Sequence, residues 1–108
     1  MTNSILLYIS TPSEKEAKKI AISLMHARLI ASANILSGTT SFYRWEDQVI
    51  HTDETVMIAK TREDLTKQAV AMTEELHSYN CPGILVLPIK GDSEAYLDWV
   101  AEVTGNEK

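Results

Sequence analysis

Apolar side chains run almost without interruption through residues 83–90, after a loop that follows the end of a helical pattern at His77. A strand that is buried on both faces has this continuous apolar character, whereas a half-exposed strand alternates apolar and polar positions. The run therefore predicts a central or near-central buried strand at residues 84–89, with helices covering at least one face of its sheet. Pro88 has no backbone donor, so we expect it at the end of this strand or beside a bulge.

Three other segments carry apolar residues at helical spacing. The first helix is expected to begin at Thr11-Pro12, with Thr11 as its cap and Pro12 at the first helical position, and to end near Ala27. The second is expected to begin with Thr61 as its cap, and the third to stop at Gly105. The stripes expected to face the core are Ala17, Ile20, Ala21, Leu24 and Met25 in the first helix and Leu65, Ala69, Met72 and Leu76 in the second. The apolar positions of the third helix are Ala95, Tyr96, Trp99, Val100 and Val103.

The remaining apolar segments predict strands, because they are short or rich in β-branched and aromatic residues. These segments are residues 4–10, residues 29–36, residues 39–45 after a break at Ser37-Gly38, and residues 49–60 after a polar turn at 46–48. The resulting order is β-α-β-β-α-β with a further helix at the end. Two interlocked β-α-β units in this order predict an α+β, ferredoxin-like sandwich with both crossover helices on one face. We expect one domain over residues 1–108.

The two strands on either side of the polar turn form a hairpin that is too long for the predicted helices to cover. An exposed two-stranded arm with unpaired edges is a liability for a monomer, so we expect another subunit to cover it. The arm carries Phe42, Tyr43 and Trp45. Because aromatic residues often anchor buried interfaces, Tyr43 and Trp45 are our candidate interface residues. An ordinary small core between strand and helix explains the same aromatics equally well.

Composition narrows the function classes. The chain has 108 residues, of which 44% are hydrophobic, and no apolar run approaches the roughly 20 residues that cross a bilayer. The formal net charge is −5, and Lys and Arg are dispersed, which argues against binding to nucleic acid or to an anionic membrane. The single Cys81 excludes an intrachain disulfide, and the start of the chain lacks the pattern of a signal peptide, so we expect a cytoplasmic protein.

His77, Tyr79 and Cys81 form the densest group of candidate metal ligands, because imidazole and thiolate together suit copper or zinc. The alternative is structural: a histidine at a helix C-terminus is favoured by the helix dipole, and a lone cysteine is often packing. His77 and Cys81 offer two ligands in each chain, so His51 or Glu54 of a neighbour would have to complete a site. We therefore expect weak, copper-preferring binding and folding that requires no cofactor.

The remaining polar clusters do not predict an enzyme. The acid pairs Asp53-Glu54 and Glu46-Asp47 can bind cations or exchange protons, but charged residues also protect strand edges and solvate turns. Residues 60–62 lie where a strand meets a helix N-terminus, a natural anion site that helix capping explains as well. No segment has the pattern of a nucleophile with its general base.

Taken together, several segments make the chain resemble the CutA divalent-cation tolerance family. The segments that carry this resemblance are residues 11–17 (Thr-Pro-Ser-Glu-Lys-Glu-Ala), 27–31 (Ala-Arg-Leu-Ile-Ala), 33–35 (Ala-Asn-Ile), 41–46 (Ser-Phe-Tyr-Arg-Trp-Glu), 60–62 (Lys-Thr-Arg), 77–79 (His-Ser-Tyr), Pro82, 87–89 (Leu-Pro-Ile) and 96–99 (Tyr-Leu-Asp-Trp). The match runs nearly end to end, and the order and spacing of the set are specific.

The resemblance implies a ferredoxin-like subunit in a stable homotrimer that is built by strand pairing between subunits. It also implies a non-enzymatic role in tolerance of copper and other divalent cations, without a named protein or small-molecule partner. Two alternatives stay open. One is a signalling trimer like the PII proteins, with a small effector in the clefts between subunits; the other is a small acylphosphatase-like hydrolase, because this fold hosts many chemistries.

The chain departs from the family pattern at functional positions. Ser10 and Ser32 stand where some members have cysteine, and the thiolate at the position of Ser10 is a proposed copper ligand in the family. Gly83 stands where the family usually has glutamate, and Asp47 stands where the hairpin turn usually has glycine. The resemblance therefore implies the fold and the trimer, but it does not carry metal binding over to these positions.

Overall fold

The computed structural model describes residues 3–91 and 93–104. Its strands form one antiparallel sheet in the order β2-β3-β1-β4, which confirms the predicted ferredoxin-like α+β fold. The elements along the chain are β1 (Ser4–Thr11), α1 (Glu14–His26), β2 (Ser32–Trp45), β3 (Gln48–Arg62), a 3₁₀ helix (Glu63–Leu65), α2 (Thr66–Leu76), β4 (Ile84–Pro88) and α3 (Glu94–Thr104). No helix of the described residues is long and apolar enough to cross a membrane.

The main core lies between one face of the sheet and the helices α1 and α2. Side chains alternate between the two faces of a strand, so every second residue of β1 points into this core. The buried residues of the cluster include Ile5, Leu7 and Ile9 of β1, Met57 and Ala59 of β3, Ile20, Ala21 and Leu24 of α1, and Ala69 of α2. Both crossover helices therefore pack on the same face, as predicted.

The helix α3 lies toward the opposite face of the sheet. The Tyr96 hydroxyl lies 3.3 Å from Oγ of Ser32. Ser32 pairs with Lys60, and Lys60 pairs with Leu6, so Ser32 is on the same face of the sheet as Leu6. This face is opposite to the face of Leu7. Of the apolar positions of this helix, Val100 is fully buried, whereas Tyr96 and Trp99 are partly exposed. The predicted helix stop at Gly105 lies outside the described residues.

The start of α1 differs from the prediction. The N-cap is Ser13, whose Oγ accepts a hydrogen bond from the backbone N–H of Glu16 at 3.1 Å. Thr11 remains in β1, because its hydroxyl donates to the carbonyl oxygen of Thr55 across the sheet at 2.8 Å. The predicted apolar stripe of α1 is otherwise buried, except that Met25 is exposed.

The start of α2 was also predicted too early. Thr61 does not cap the helix: it is a fully buried residue of β3, which continues to Arg62 because Arg62 still pairs with Ser4 of β1. Among the described residues, the Thr61 hydroxyl has no hydrogen-bond partner. The chain then passes through the 3₁₀ helix and enters α2 at Thr66, whose hydroxyl donates to the carbonyl oxygen of Glu63 at 2.7 Å.

The prediction of a central, buried strand at residues 84–89 is wrong. Among the described residues, the strand β4 pairs only with β1 and forms an edge of the sheet, where Leu85, Val86 and Leu87 are 60%, 45% and 42% exposed. The continuous apolar character is real, but one chain alone does not cover both faces of this strand. Pro88 is the last residue of β4, as predicted for a residue without a backbone donor.

The strands β2 and β3 form the long hairpin arm that the sequence predicted, and they help to extend the molecule to 48 × 26 × 22 Å. The strand β2 begins at Ser32 instead of Leu29, because residues 29–31 form a buried connection. Ser37-Gly38 does not break the strand: the ladder shifts register between Leu36 and Thr39, with Gly38 at a φ of 81°. This is a β-bulge, where glycine supplies the left-handed conformation.

Candidate functional site

The imidazole of His77 follows α2 and is held at both ring nitrogens. Its Nε2 lies 2.6 Å from the carbonyl oxygen of Ser10, and its Nδ1 lies 3.1 Å from the backbone nitrogen of Tyr79. A backbone N–H can only donate, so Nδ1 is the acceptor and the proton is on Nε2, which donates to Ser10. The ring is therefore neutral, fully buried and fixed in one tautomer.

The carboxylate of Glu16 on α1 supports the same loop. Its Oε2 accepts a hydrogen bond from the backbone N–H of Ser78 at 2.9 Å and lies 3.4 Å from Nδ1 of His77. The approach to His77 is not an ion pair, because Nδ1 carries no proton when it accepts the Tyr79 amide. Glu16 therefore orients the loop between α2 and β4 through its backbone.

Glu54 of β3 is the central buried acid of the site. Only 9% of the residue is exposed. Its Oε1 accepts a hydrogen bond from the Ser41 hydroxyl at 2.6 Å, and its Oε2 accepts one from the Tyr79 hydroxyl at 2.7 Å. These two bonds join the arm, the central strand β3 and the loop that His77 holds in place.

Tyr79 acts as a fixed donor in this arrangement. Burial of its hydroxyl, followed by its hydrogen bond to Glu54 and the charge of that carboxylate, raises the pKa of Tyr79 well above its ordinary value. Ionised tyrosine beside an ionised carboxylate would place two like charges together, which is unfavourable. Tyr79 therefore stays protonated and keeps donating to Glu54 throughout the physiological pH range.

A groove of ≈ 740 Å³ opens in front of Glu54, between the arm and the loop that precedes β4. Register pairs Tyr43 with Ile50 and Ser41 with Thr52, so these side chains share one face of the arm with Glu54, two residues further along β3. The lining residues are Ser10, Ser41, Phe42, Tyr43, Trp45, Ile50, Thr52, Glu54, Tyr79, Asn80, Cys81 and Gly83. The groove thus has aromatic walls and a buried acid.

The two predicted metal ligands, His77 and Cys81, differ in their exposure to solvent. Cys81 is exposed and lines the groove, whereas His77 is buried beside it with both nitrogens engaged. Within residues 3–91 and 93–104, no three His, Cys, Asp or Glu side chains come together in a way that could hold a metal ion. His51 is exposed on the arm, where its ring packs 5.4 Å from that of Phe42.

The predicted interface residues, Tyr43 and Trp45, are 43% and 59% exposed and line the groove. The sequence indicated Ser41 only as part of the family-matching segment 41–46. It suggested Glu54 as a ligand from a neighbour or, together with Asp53, as a cation-binding, acid/base or strand-edge residue. The structure separates the two acids, because Asp53 is exposed and Glu54 is buried. The alternation of side chains along a strand could have made this distinction, since Glu54 shares the face of Ile50 and Thr52.

These features define a class of protein: a ferredoxin-like domain with a projecting hairpin arm and a groove at the base of that arm. The sequence matches the family described as CutA1 divalent ion tolerance protein over residues 5–103. The chain therefore belongs to the CutA family of divalent-cation tolerance proteins.

Named relatives agree with this assignment. The chain is 38% identical to the divalent-cation tolerance protein CutA of Thermus thermophilus over 100 residues, which cover 93% of this chain and 97% of the relative. It is 36% identical to the chloroplastic protein CutA of Arabidopsis thaliana over 103 residues, which cover 95% of this chain. The chain spans only 57% of the length of that plant protein.

Solved structures agree on the fold. The crystal structure of CutA1 from Oryza sativa matches with a TM-score of 0.94 at 34% identity, covering 98% of this chain and 97% of that one. The divalent ion tolerance protein CutA1 from Ehrlichia chaffeensis matches with a TM-score of 0.93 at 35% identity, covering 98% and 99%. None of these four proteins is described as a PII-like signalling protein or an acylphosphatase, so the two alternative functions gain no support from them.

Proposed function

We propose that this protein is a non-enzymatic, cytoplasmic homotrimer that contributes to tolerance of divalent cations and binds such cations only weakly. The observation that supports it most is the apolar surface that one chain leaves uncovered on its arm and on β4. The compartment is proposed because the exposed thiol of Cys81 suits a reducing environment.

In the part of the chain that the structure describes, the sheet has two free edges, β2 on one side and β4 on the other. A long exposed edge favours pairing with another chain. Pairing of β2 of one subunit with β4 of the next would be a heterologous contact, and such contacts form a closed ring when the rotation between subunits closes. A closed ring would leave no free edge, and the resemblance to the family implies that the ring has three subunits.

The exposed side chains near these edges are the kind that interfaces bury. Phe42, Trp45 and Val49 on the arm are 70%, 59% and 66% exposed, and Leu85 on β4 is 60% exposed. A monomer seldom leaves this much apolar surface uncovered in a few patches. We therefore propose that Tyr43 and Trp45 become buried between subunits.

Light scattering of the purified protein at micromolar concentration tests the assembly, and the expected mass is three times that of one chain. Trp45→Glu should lower the mass toward that of a monomer, because a charge would enter a desolvated interface. Ile22→Glu is the matched control, since Ile22 is an apolar residue on α1 that is about as exposed as Trp45. A monomeric wild-type protein would overturn the proposal.

Weak metal binding is proposed from the residues at the inner end of the groove. A Cβ at Gly83 would lie 3.8 Å from Oγ of Ser10, so the positions where the family often carries glutamate and cysteine are neighbours, and here they are glycine and serine. Cys81 remains as an exposed thiol, and His77 becomes available only if its ring gives up one of its two hydrogen bonds. Borderline and soft cations such as copper would be preferred.

The state of Tyr79 supports a non-enzymatic role. Its raised pKa makes it a poor base and a poor nucleophile near neutral pH, because either role requires a readily formed phenolate. The neutral His77 has both ring nitrogens in hydrogen bonds, so neither is free to exchange a proton with a substrate. We assign both residues to positioning the loop that forms one wall of the groove.

A further inference from the structure

Among residues 3–91 and 93–104, the buried carboxylate of Glu54 has no basic side chain as a salt-bridge partner. The described residues form the ion pairs Lys18–Glu14 and Arg62–Asp64, and the His77 ring lies close to Glu16. None of these contacts involves Glu54. Two hydroxyl groups, from Ser41 and Tyr79, offset part of the desolvation cost. A buried carboxylate is stabilised further by a positive charge within about 4–6 Å, and the groove is the open space in which such a charge can stand.

The carboxylate also has unused acceptor capacity. Ionised glutamate offers about four lone-pair positions, and each oxygen of Glu54 receives one hydrogen bond from the protein. Because Ser41 and Tyr79 are fixed in place, Glu54 is preorganised to accept further bonds. An N–H donor that enters from the groove would meet a rigid acceptor, with little further entropy cost to the protein.

The walls of the groove favour a cation with an apolar body. Tyr43 and Trp45 line it on the side of the arm, with Ile50 on the same face. Aromatic faces attract cations through their quadrupoles, and Trp and Tyr do so more strongly than other side chains. The same rings bury apolar surface, so the site suits a ligand whose charge and hydrocarbon part lie close together.

We propose that this groove binds an organic ammonium ion, a protonated amine on a compact apolar body, with the nitrogen against Glu54 and the body against Tyr43 and Trp45. A metal ion fits these residues less well, because a metal site needs several converging ligands and the described residues supply no such group. The formal net charge of −5 adds a general attraction for cations.

The inference does not depend on the trimer, because Glu54, Ser41 and Tyr79 belong to one chain. A neighbouring subunit that buries Tyr43 and Trp45 would close the outer side of the groove and shield the ammonium from water. That shielding would strengthen both the ion pair and the contact with the rings, since both interactions are stronger where the local dielectric constant is low.

Calorimetry with benzylammonium, benzyl alcohol and ammonium chloride tests the proposal on the unaltered protein. Benzylammonium should bind at least about tenfold more tightly than the neutral alcohol, which lacks the charge, and than ammonium, which lacks the apolar body. Glu54→Gln should reduce the affinity for benzylammonium by about tenfold or more. Asp53→Asn, which removes the same charge one residue away on the exposed face, should leave it unchanged.

Equal binding of benzylammonium and benzyl alcohol would overturn the inference, and this comparison requires no variant to fold. An effect of Asp53→Asn as large as that of Glu54→Gln would also overturn it, because the attraction would then be general. The inference would also be overturned if the protein is a trimer that binds no amine and Glu54→Gln dissociates this trimer. A basic side chain of a neighbouring copy would then fill the groove. A monomer that binds benzylammonium selectively would support this inference while refuting the trimer.

Discussion

The ring of His77 donates a hydrogen bond from Nε2 to the carbonyl oxygen of Ser10, 67 residues earlier in the chain, at 2.6 Å. This bond ties the loop after α2 to the end of the central strand β1. Because Nδ1 accepts the amide of Tyr79 at the same time, one side chain sets the path of the loop and the position of the Tyr79 hydroxyl. A residue that the sequence suggested as a metal ligand is thus a structural link.

Replacement of His77 should reduce stability more than replacement of another histidine. In His77→Ala, the buried carbonyl oxygen of Ser10 and the amide of Tyr79 lose their side-chain partner, at a cost of about 1–3 kcal/mol in the free energy of unfolding. His26→Ala at the exposed end of α1 is the control and should change it by less than about 0.5 kcal/mol at mildly alkaline pH. Urea denaturation measures both, and equal effects would contradict the structural role.

The raised pKa of Tyr79 predicts a loss of stability in alkali. The hydroxyl is protonated in both folded and unfolded chains below about pH 10, so the contribution is complete there. Above that pH, the unfolded chain releases the proton while the folded chain retains it, and stability falls as the pH rises. Unfolding curves should therefore decline more steeply above pH 10 for wild type than for Tyr79→Phe; parallel curves would refute the shift.

The hairpin turn should become more stable when Asp47 is replaced by glycine. Glu46 and Asp47 have φ angles of 50° and 66°, a left-handed conformation that is unfavourable for most L-residues and usual for glycine in a two-residue hairpin turn. Asp47→Gly should raise the free energy of unfolding by up to about 1 kcal/mol, and Asp53→Gly within β3 should lower it. Denaturant titration, with hydrogen exchange of the arm amides, measures the change.

Copper binding should be weak and should depend on the thiol. Titration of Cu²⁺ without oxygen should give weak binding that His77→Ala/Cys81→Ser abolishes, and chelation should leave the protein folded. Ser10→Cys should strengthen binding, because it restores a thiol at the position where some family members carry one. Equal binding by wild type and the double variant would refute the assignment to His77 and Cys81, and unfolding on chelation would mean that metal is structural.

Much of the fold followed from periodicity. The helical stripe of α1 and the alternation along β1 identified core residues such as Ile20 and Leu7, since one face of each element is strongly apolar. The errors occurred where tertiary contacts override local signals. Thr61 has the composition of a helix cap, but the β1–β3 ladder extends past it and keeps it in the sheet.

The position of β4 could not be read from one chain. Its apolar run implies that other residues cover both faces of the strand. The run does not show whether those residues belong to the same chain. Only the pairing order shows that β4 has one neighbouring strand. If a second subunit covers β4, the apolar run describes a strand that is buried in the assembly.

The site was harder to predict than the fold. The charge of Glu54 suggested an exposed edge, because burial of a carboxylate depends on partners that lie far away in sequence. Its partners Ser41 and Tyr79 are 13 and 25 residues away along the chain. No local pattern reveals such hydroxyl donors, although strand alternation does place Glu54 on the face of Ile50.

The bulge at Ser37-Gly38 determines which residues of the arm face the groove. Between Leu36 and Thr39 the strand β2 advances three residues while β3 advances two, from Val56 to Glu54. Since the pleat repeats every two residues, a ladder that kept its earlier register past Leu36, without this bulge, would place every later side chain of β2 on the opposite face. Arg44 would then face Glu54 in place of Tyr43 and Trp45. The one extra residue in the bulge therefore decides whether this face of the arm carries two aromatic rings or a guanidinium group beside the carboxylate.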